Sequence, residues 1–163
     1  MSQELQYAVS QFLFHKSALC DARQWEAYLD LYDEDSLVHI PQWIDEHTYV
    51  QDPNQGVSYV YYEDRTGLED RVFRIRTERS SATIPDTRTN HHISNVEVVE
   101  QTGSQVKLRF NWHTMSVRYN HTDHFCGTSF YTLDTSGASP LIKDKKVILK
   151  TDYIRHVIDV YHV

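Results

Sequence analysis

The sequence predicts an α+β fold, a cone-shaped, strongly bent antiparallel sheet with N-terminal helices packed on one face. Residues from about 1 to 80 carry apolar positions at helical spacing with capping signals, whereas residues from about 87 to 162 alternate in long stretches separated by turns. No repeat, low-complexity tract or linker interrupts the 163 residues, so a single domain, 1–163, is expected. Helices gathered ahead of one antiparallel sheet pack as a layer on one sheet face. The common form of that layout is a cone closed by helices, with a cavity at its wide end.

The elements follow in order. Leu5, Ala8, Val9, Phe12 and Leu19 make one greasy stripe on a helix over residues 3–19. Asp21 with Gln24 has capping-box spacing before a second helix, whose inner face would be Trp25, Tyr28, Leu29 and Tyr32. Ser36 to Ile40 suggests a short strand closed by Pro41. Residues 45–58 look irregular, with a strand around Thr48 to Gln51. Thr66 with Glu69 is a second capping signature, opening a helix with Leu68, Val72 and Ile75 on one side. "SATIPDT" is a loop, and strands are expected over 88–100, 105–119, 123–134 and 146–161. In the second of these, Val106, Leu108, Phe110 and Trp112 alternate with Lys107, Arg109, Asn111 and His113, so one face is dry and the other wet or in contact with a partner.

Composition excludes several classes. A net charge of −7 argues against a duplex nucleic-acid binder, which needs clustered positive charge. No apolar run reaches the roughly 18 to 20 residues that span a bilayer, and "MSQELQYAVSQ" lacks the pattern of a secretory signal. A cytoplasmic protein with no membrane partner is expected. Cys20 and Cys126 lie far apart in sequence, which suits two reduced thiols and leaves a disulfide open. Eleven Tyr, six Phe and three Trp supply large contact area for a core or an interface.

Four groups could carry chemistry. His91 and His92 are adjacent in a strand, so they point to opposite faces and a shared metal would require a bulge. His121, His124 and Cys126 have ligand types that suit zinc but lack a fourth partner, and turn residues are the plainer alternative. A Rieske centre needs two cysteines and two histidines, and neither Cys20 nor Cys126 has a histidine close behind it. His39, Tyr28, Asp33 and one of His91 and His92 could meet in the cone as an acid–base group. The alternative there is a buried histidine satisfied by a carbonyl or tyrosine hydroxyl, with Asp33 in a solvated helix end. Six of the sixteen basic residues fall between Arg65 and Arg88 among carboxylates, either as a solvated helix or as paired charges at a subunit interface. Five glycines form no phosphate-cradling loop, nucleophile elbow or dinucleotide fingerprint.

"FLFHKSALCDARQWEAYLDLYDEDSLVHIP", then "YYEDRTGLEDRVFRIRT", then "TRTNHHISNVEV" resembles, over nearly the whole chain, the small (β) subunit of aromatic-ring-hydroxylating dioxygenases. Within that family the resemblance is to the benzoate, anthranilate and halobenzoate branch. It implies a cone like that of nuclear transport factor 2 and assembly of three catalytic large (α) subunits with three small ones, the small chains forming a trimer. It also implies a Rieske 2Fe-2S cluster and a mononuclear Fe(II) in the large subunit. Electrons would come from NADH through a separate reductase, and both atoms of O2 would enter the ring to give a cis-diol. No catalytic residue, metal ligand or cofactor is implied for the small chain itself. Tyr61, Tyr62, Arg65, Gly67, Leu68, Arg71 and Arg74 match the family's middle motif, and Arg88, His91, Ser94 and Asn95 its second. The resemblance implies fold or interface roles for them. His92 stands where an apolar residue is expected, so either the strand bulges there or His92 meets a partner. Competing with this are a stand-alone dehydratase or isomerase using His39 or His91 with a carboxylate, and a ligand-binding module without chemistry.

Overall fold

The computed structural model of the chain describes residues 2–77 and 85–163. Its elements are α1 (Gln3–Asp21), α2 (Trp25–Leu29), β1 (Tyr32–Pro41), β2 (Ser58–Tyr62), α3 (Arg65–Arg76), β3 (Arg88–Thr102), β4 (Gln105–Arg118), β5 (His121–Asp134) and β6 (Leu141–Leu149), followed by a 3-10 turn, Val160–His162. The six strands form one curved, unclosed sheet in the order β2-β1-β6-β5-β4-β3. This is the expected α+β cone, with one departure: β1 runs parallel to β6, while every other pair is antiparallel.

Alternation builds the long hairpins. Val106, Leu108, Phe110 and Trp112 are all buried, and their neighbours point outward. Gly103, at φ +59°, makes the turn from β3 to β4, a backbone region that costs glycine nothing. Tyr119 and Asn120 both take positive φ between β4 and β5, as a two-residue hairpin turn of the primed type requires. Across the sheet's inner face, Leu108, Tyr131, Lys145, Val38 and Tyr62 stand in register on successive strands.

α1 starts where the Ser2 side chain accepts from the Leu5 amide. It buries Val9, Phe12, Leu13, Lys16, Leu19 and Cys20; Ala8, expected on the stripe, is exposed. The capping box at Asp21 does not form. α2 opens at Gln24 with no side-chain cap, because Asp21 is the last residue of α1 and its carboxylate is engaged by β3. Tyr32 begins β1 rather than ending a helix, yet is still buried. For α3 the cap is Asp64, which accepts from the Thr66 amide, and Glu69 pairs with Arg65 instead of closing a box. Around Thr48 only an isolated bridge, Trp43 to Tyr49, is present.

β6 ends at Leu149, not 161. Its partner β5 has the Cys126 amide taken by Thr151 Oγ1, so the ladder stops there. The chain then leaves the sheet and returns at the 3-10 turn, which buries Val160, Tyr161 and His162. Most of the expected loop 81–87 lies outside the described residues. No helix among the described residues is long and apolar enough to cross a membrane.

Candidate functional site

The inside of the cone is occupied by the chain itself. Lys16 from α1 and Lys145 from β6 are both almost fully buried, and both donate to the backbone oxygen of Val163, at 3.5 and 3.2 Å. Tyr28 and Tyr32 share a 2.8 Å hydrogen bond, and Lys145 donates to the Tyr32 hydroxyl at 3.5 Å. Burial, with Lys16 beside it, pushes the Lys145 amine well below its ordinary value. Ile158, Val160, Tyr161 and Val163 complete the packing. A cavity of about 30 Å³ by Thr87, Ser116, Phe125, Tyr161 and His162 has room for about one or two waters, not for a substrate.

Against this filled interior, Asp21 and His91 form a close pair. The Asp21 carboxylate accepts from the His91 amide (3.0 Å), His91 Nδ1 (2.5 Å) and Thr89 Oγ1 (2.9 Å). Burial opposes its charge, but these bonds hold it below the usual carboxylate range. Burial also keeps the His91 imidazole below its ordinary value, although Asp21 pulls the other way. The pair is therefore a neutral imidazole donating to a carboxylate. His91 Nε2 is buried without a hydrogen-bond partner among the described residues.

The motif residues gather at the join between α3, β2 and the C-terminal segment. A Cβ on Gly67 would come within 2.4 Å of the Tyr62 ring, so only glycine lets the first turn of α3 lie on that ring. Arg65 donates to the Tyr32 carbonyl at 3.0 Å and pairs with Glu69. Leu68 is fully buried. Arg71 grips the buried carboxylate of Asp159, which also caps the 3-10 turn through the Val160 amide. Arg74 and Arg88 are exposed, and Tyr61 packs edge-on against His39. Asn95 has φ +53°, at a bulge between Ser94 and Glu97.

The family model for the ring hydroxylating beta subunit matches residues 15–156. The chain belongs to the ring hydroxylating beta subunit family. It is 56% identical over 156 residues to toluate 1,2-dioxygenase subunit beta of Pseudomonas putida, covering 96% of each chain. It is 51% identical over the full length of both chains to the anthranilate 1,2-dioxygenase small subunit of Acinetobacter baylyi. The crystal structure of the beta subunit of benzoate 1,2-dioxygenase from Burkholderia mallei superposes with a TM-score of 0.81 at 46% identity, covering 95% of each chain.

In this beta subunit the residues expected to meet as an acid–base group are dispersed. Tyr28 is bonded to Tyr32 in the core, Asp33 pairs with Lys143 at 2.9 Å, His39 shares a 3.0 Å bond with Ser58, and His91 is held by Asp21. His91 and His92 do face opposite ways: His91 points inward, while His92 is exposed and stands opposite His113 in regular pairing. The bulge lies further along the strand, at Asn95, because Asn tolerates the left-handed region. The thiols are both free, Cys20 in the core and Cys126 on the outer face.

His121, His124 and Cys126 do not converge either. His121 approaches Asp123 at 3.4 Å, whereas His124 stacks on His113 with Nδ1 and Nε2 2.9 Å apart. No group of three or more His, Cys, Asp or Glu is arranged to hold a metal among the described residues. Sequence reasoning missed the interior lysines and the role of Asp21. Lys16 follows Val9, Phe12 and Leu13 at helical spacing, and Lys145 shares the parity of Val147 and Leu149. That spacing was a usable signal, outweighed by their charge.

Proposed function

We propose that the chain is the structural, non-catalytic small subunit of the terminal oxygenase component of a Rieske non-haem-iron dioxygenase. The oxygenase would dihydroxylate an aromatic carboxylate such as benzoate or anthranilate, in aromatic compound catabolism. Its catalytic partner is a large subunit carrying the 2Fe-2S cluster and mononuclear Fe(II), fed with electrons from NADH by a separate reductase. Three small and three large subunits assemble, and the complex is cytoplasmic.

The observation that carries this reading is the filled cone. The interior of the cone is taken by Tyr28, Tyr32, Lys16, Lys145 and the C-terminal segment, so the described residues leave no substrate chamber inside it, and the larger hollows, of about 440 to 560 Å³, are open surface grooves. The same packing weighs against a stand-alone dehydratase or isomerase, and against a ligand-binding module seated in the cone. The two thiols do not suit a 2Fe-2S cluster. Cys20 is in the core and Cys126 on the opposite face of the sheet, so the two thiols cannot serve one cluster. The motif residues Tyr61, Tyr62, Arg65, Gly67, Leu68 and Arg71 support the fold, and Arg74, Arg88, Ser94 and Asn95 remain at the surface for subunit contacts.

The test is co-expression of the tagged chain with its large subunit, followed by measurement of partner mass, iron, labile sulfide and turnover. The expected product is an equimolar complex holding iron and sulfide, in which His39→Ala with His91→Ala leaves turnover per assembled complex unchanged. A chain that purifies alone, without iron, from cells that carry out the oxidation would sink the proposal.

A further inference from the structure

On the outer face of β3, β4 and β5, cross-strand pairing sets two rows side by side. One row is His92, His113 and Cys126, and the next is Asn90, Met115 and His124. Residues paired across antiparallel strands point to the same side, so three imidazoles, a thiol and a thioether share one patch of sheet surface. His92, His124 and Cys126 are exposed, and His113 and Met115 are half-buried between them.

Two donors of this patch already meet. His113 Nε2 and His124 Nδ1 lie 2.9 Å apart. Two nitrogens bound about 2.0–2.1 Å from one tetrahedral metal are about 3.3 Å apart, so a small rotation of either ring admits an ion between them. Cys126 stands directly across from His113, at a position where facing Cβ atoms are about 4.5–5.5 Å apart. Its Sγ takes a long 4.0 Å contact from Thr151 Oγ1, which a metal would displace. Burial, with His124 and His92 close by, keeps the His113 imidazole below its ordinary value, so at neutral pH the ring is uncharged and has a lone pair to give. Neutral imidazole and thiolate suit zinc and copper alike. Zinc takes four nitrogen, oxygen or thiolate donors, whereas thiolate together with thioether selects copper(I). Neither row contains a carboxylate, and the Met115 thioether faces His124, so the patch is a soft, neutral donor set.

We propose that His113, His124 and Cys126 form a copper(I) site on the outer face of the sheet, with the Met115 thioether beside it. The three donors converge only when Cys126 turns toward the imidazoles, so no three-donor group stands ready among the described residues. In the metal-free chain one imidazole donates to the other. Binding needs a lone pair on both His113 Nε2 and His124 Nδ1, so the donated proton moves to its own ring's other nitrogen by exchange with water. The Cys126 thiol gives its proton to solvent, and the metal keeps its oxidation state. His92, tied to Asn90 Oδ1 at 2.5 Å, stays outside the site. The site does not depend on the oxygenase reading.

Anaerobic titration of the full-length chain with Cu(I), in competition with a chromophoric Cu(I) chelator, tests the site. One Cu(I) per chain is expected, and its binding should block the reaction of Cys126 with a disulfide reagent. Cys126→Ser, His113→Gln and His124→Gln should each weaken binding roughly tenfold or more, with an unchanged circular dichroism spectrum. His121→Gln, in the same hairpin but directed at Asp123, should bind like wild type. Cu(I) uptake that is equal in the wild type and the three variants would overturn the site. So would a chain that takes up no Cu(I), or one from which equimolar Zn2+ displaces it.

Discussion

Arg71 on α3 and Asp159 ahead of the C-terminal turn form a two-point ion pair, and it is the charged clasp between the front of the molecule and its last residues. Asp159 is 3% exposed, so the guanidinium is what compensates the burial of its carboxylate.

Arg71→Met should therefore destabilise the chain by about 3–5 kcal/mol, because it strands a buried carboxylate. Adding Asp159→Asn should recover part of that loss. Denaturant unfolding of the single and double variants measures both. Arg71→Lys should rescue poorly, since an ammonium cannot occupy both carboxylate oxygens in fork geometry.

Gly67→Ala should cost about 1–3 kcal/mol through overpacking against Tyr62, whose Cβ as well as its ring crowds the new methyl. Tyr62→Ser in the same chain should remove most of that penalty. The midpoint of urea unfolding for the two single variants and the double variant decides it.

Stability should fall as pH drops from 7 to 5. Burial, with His91 and Arg71 close by, holds His162 down to about 3, and burial also keeps His91 below its ordinary 6.5. Below pH 6.5 the unfolded chain takes up protons that the folded one refuses, so the equilibrium moves toward unfolding. For His162 alone the loss between pH 7 and 5 is about 2 kcal/mol. His162→Gln should flatten the profile by that amount in unfolding titrations at the two pH values.

One thiol per native isolated chain should react with a disulfide reagent at neutral pH, and two should react in denaturant. Cys126 is exposed, while Cys20 is 2% exposed with its thiol pushed up to about 11 by burial. Cys126→Ser should abolish the native reaction.

Much of the sheet could be read from the chain, because strands with one dry face state it residue by residue, as Val106 to Trp112 do. β2 escaped notice because "SYVYY" is short, aromatic on both sides and half-buried throughout, so no alternation marks it. The pattern predicts strand as far as residue 161, but the ladder ends at Leu149, where Thr151 Oγ1 accepts from the Cys126 amide, a tertiary event with no local signature. Asp21 shows the same limit. Its spacing from Gln24 fits a helix cap, but three donors arriving from β3 outcompete one local amide. Of the candidate sites, the opposed directions of His91 and His92 were legible from strand geometry alone. The row of His92, His113 and His124 was not, because it depends on the registers of three strands.

The parallel pairing of β1 with β6 also governs how the chain can be made. Val38 lies beside Lys145, so β1 waits for its neighbour until more than a hundred residues have followed it. A ribosome delivers α1, β1 and the apolar stripe of the front well before the strand that completes the sheet beside them. Such distant closure slows folding and leaves greasy surface open in the interval. The hairpins β3–β4 and β4–β5, joined by two-residue turns, can form meanwhile as a local platform. The segment that plugs the cone, Ile158 to Val163, follows every strand in the chain, so the interior can dry only after the whole sheet has been made.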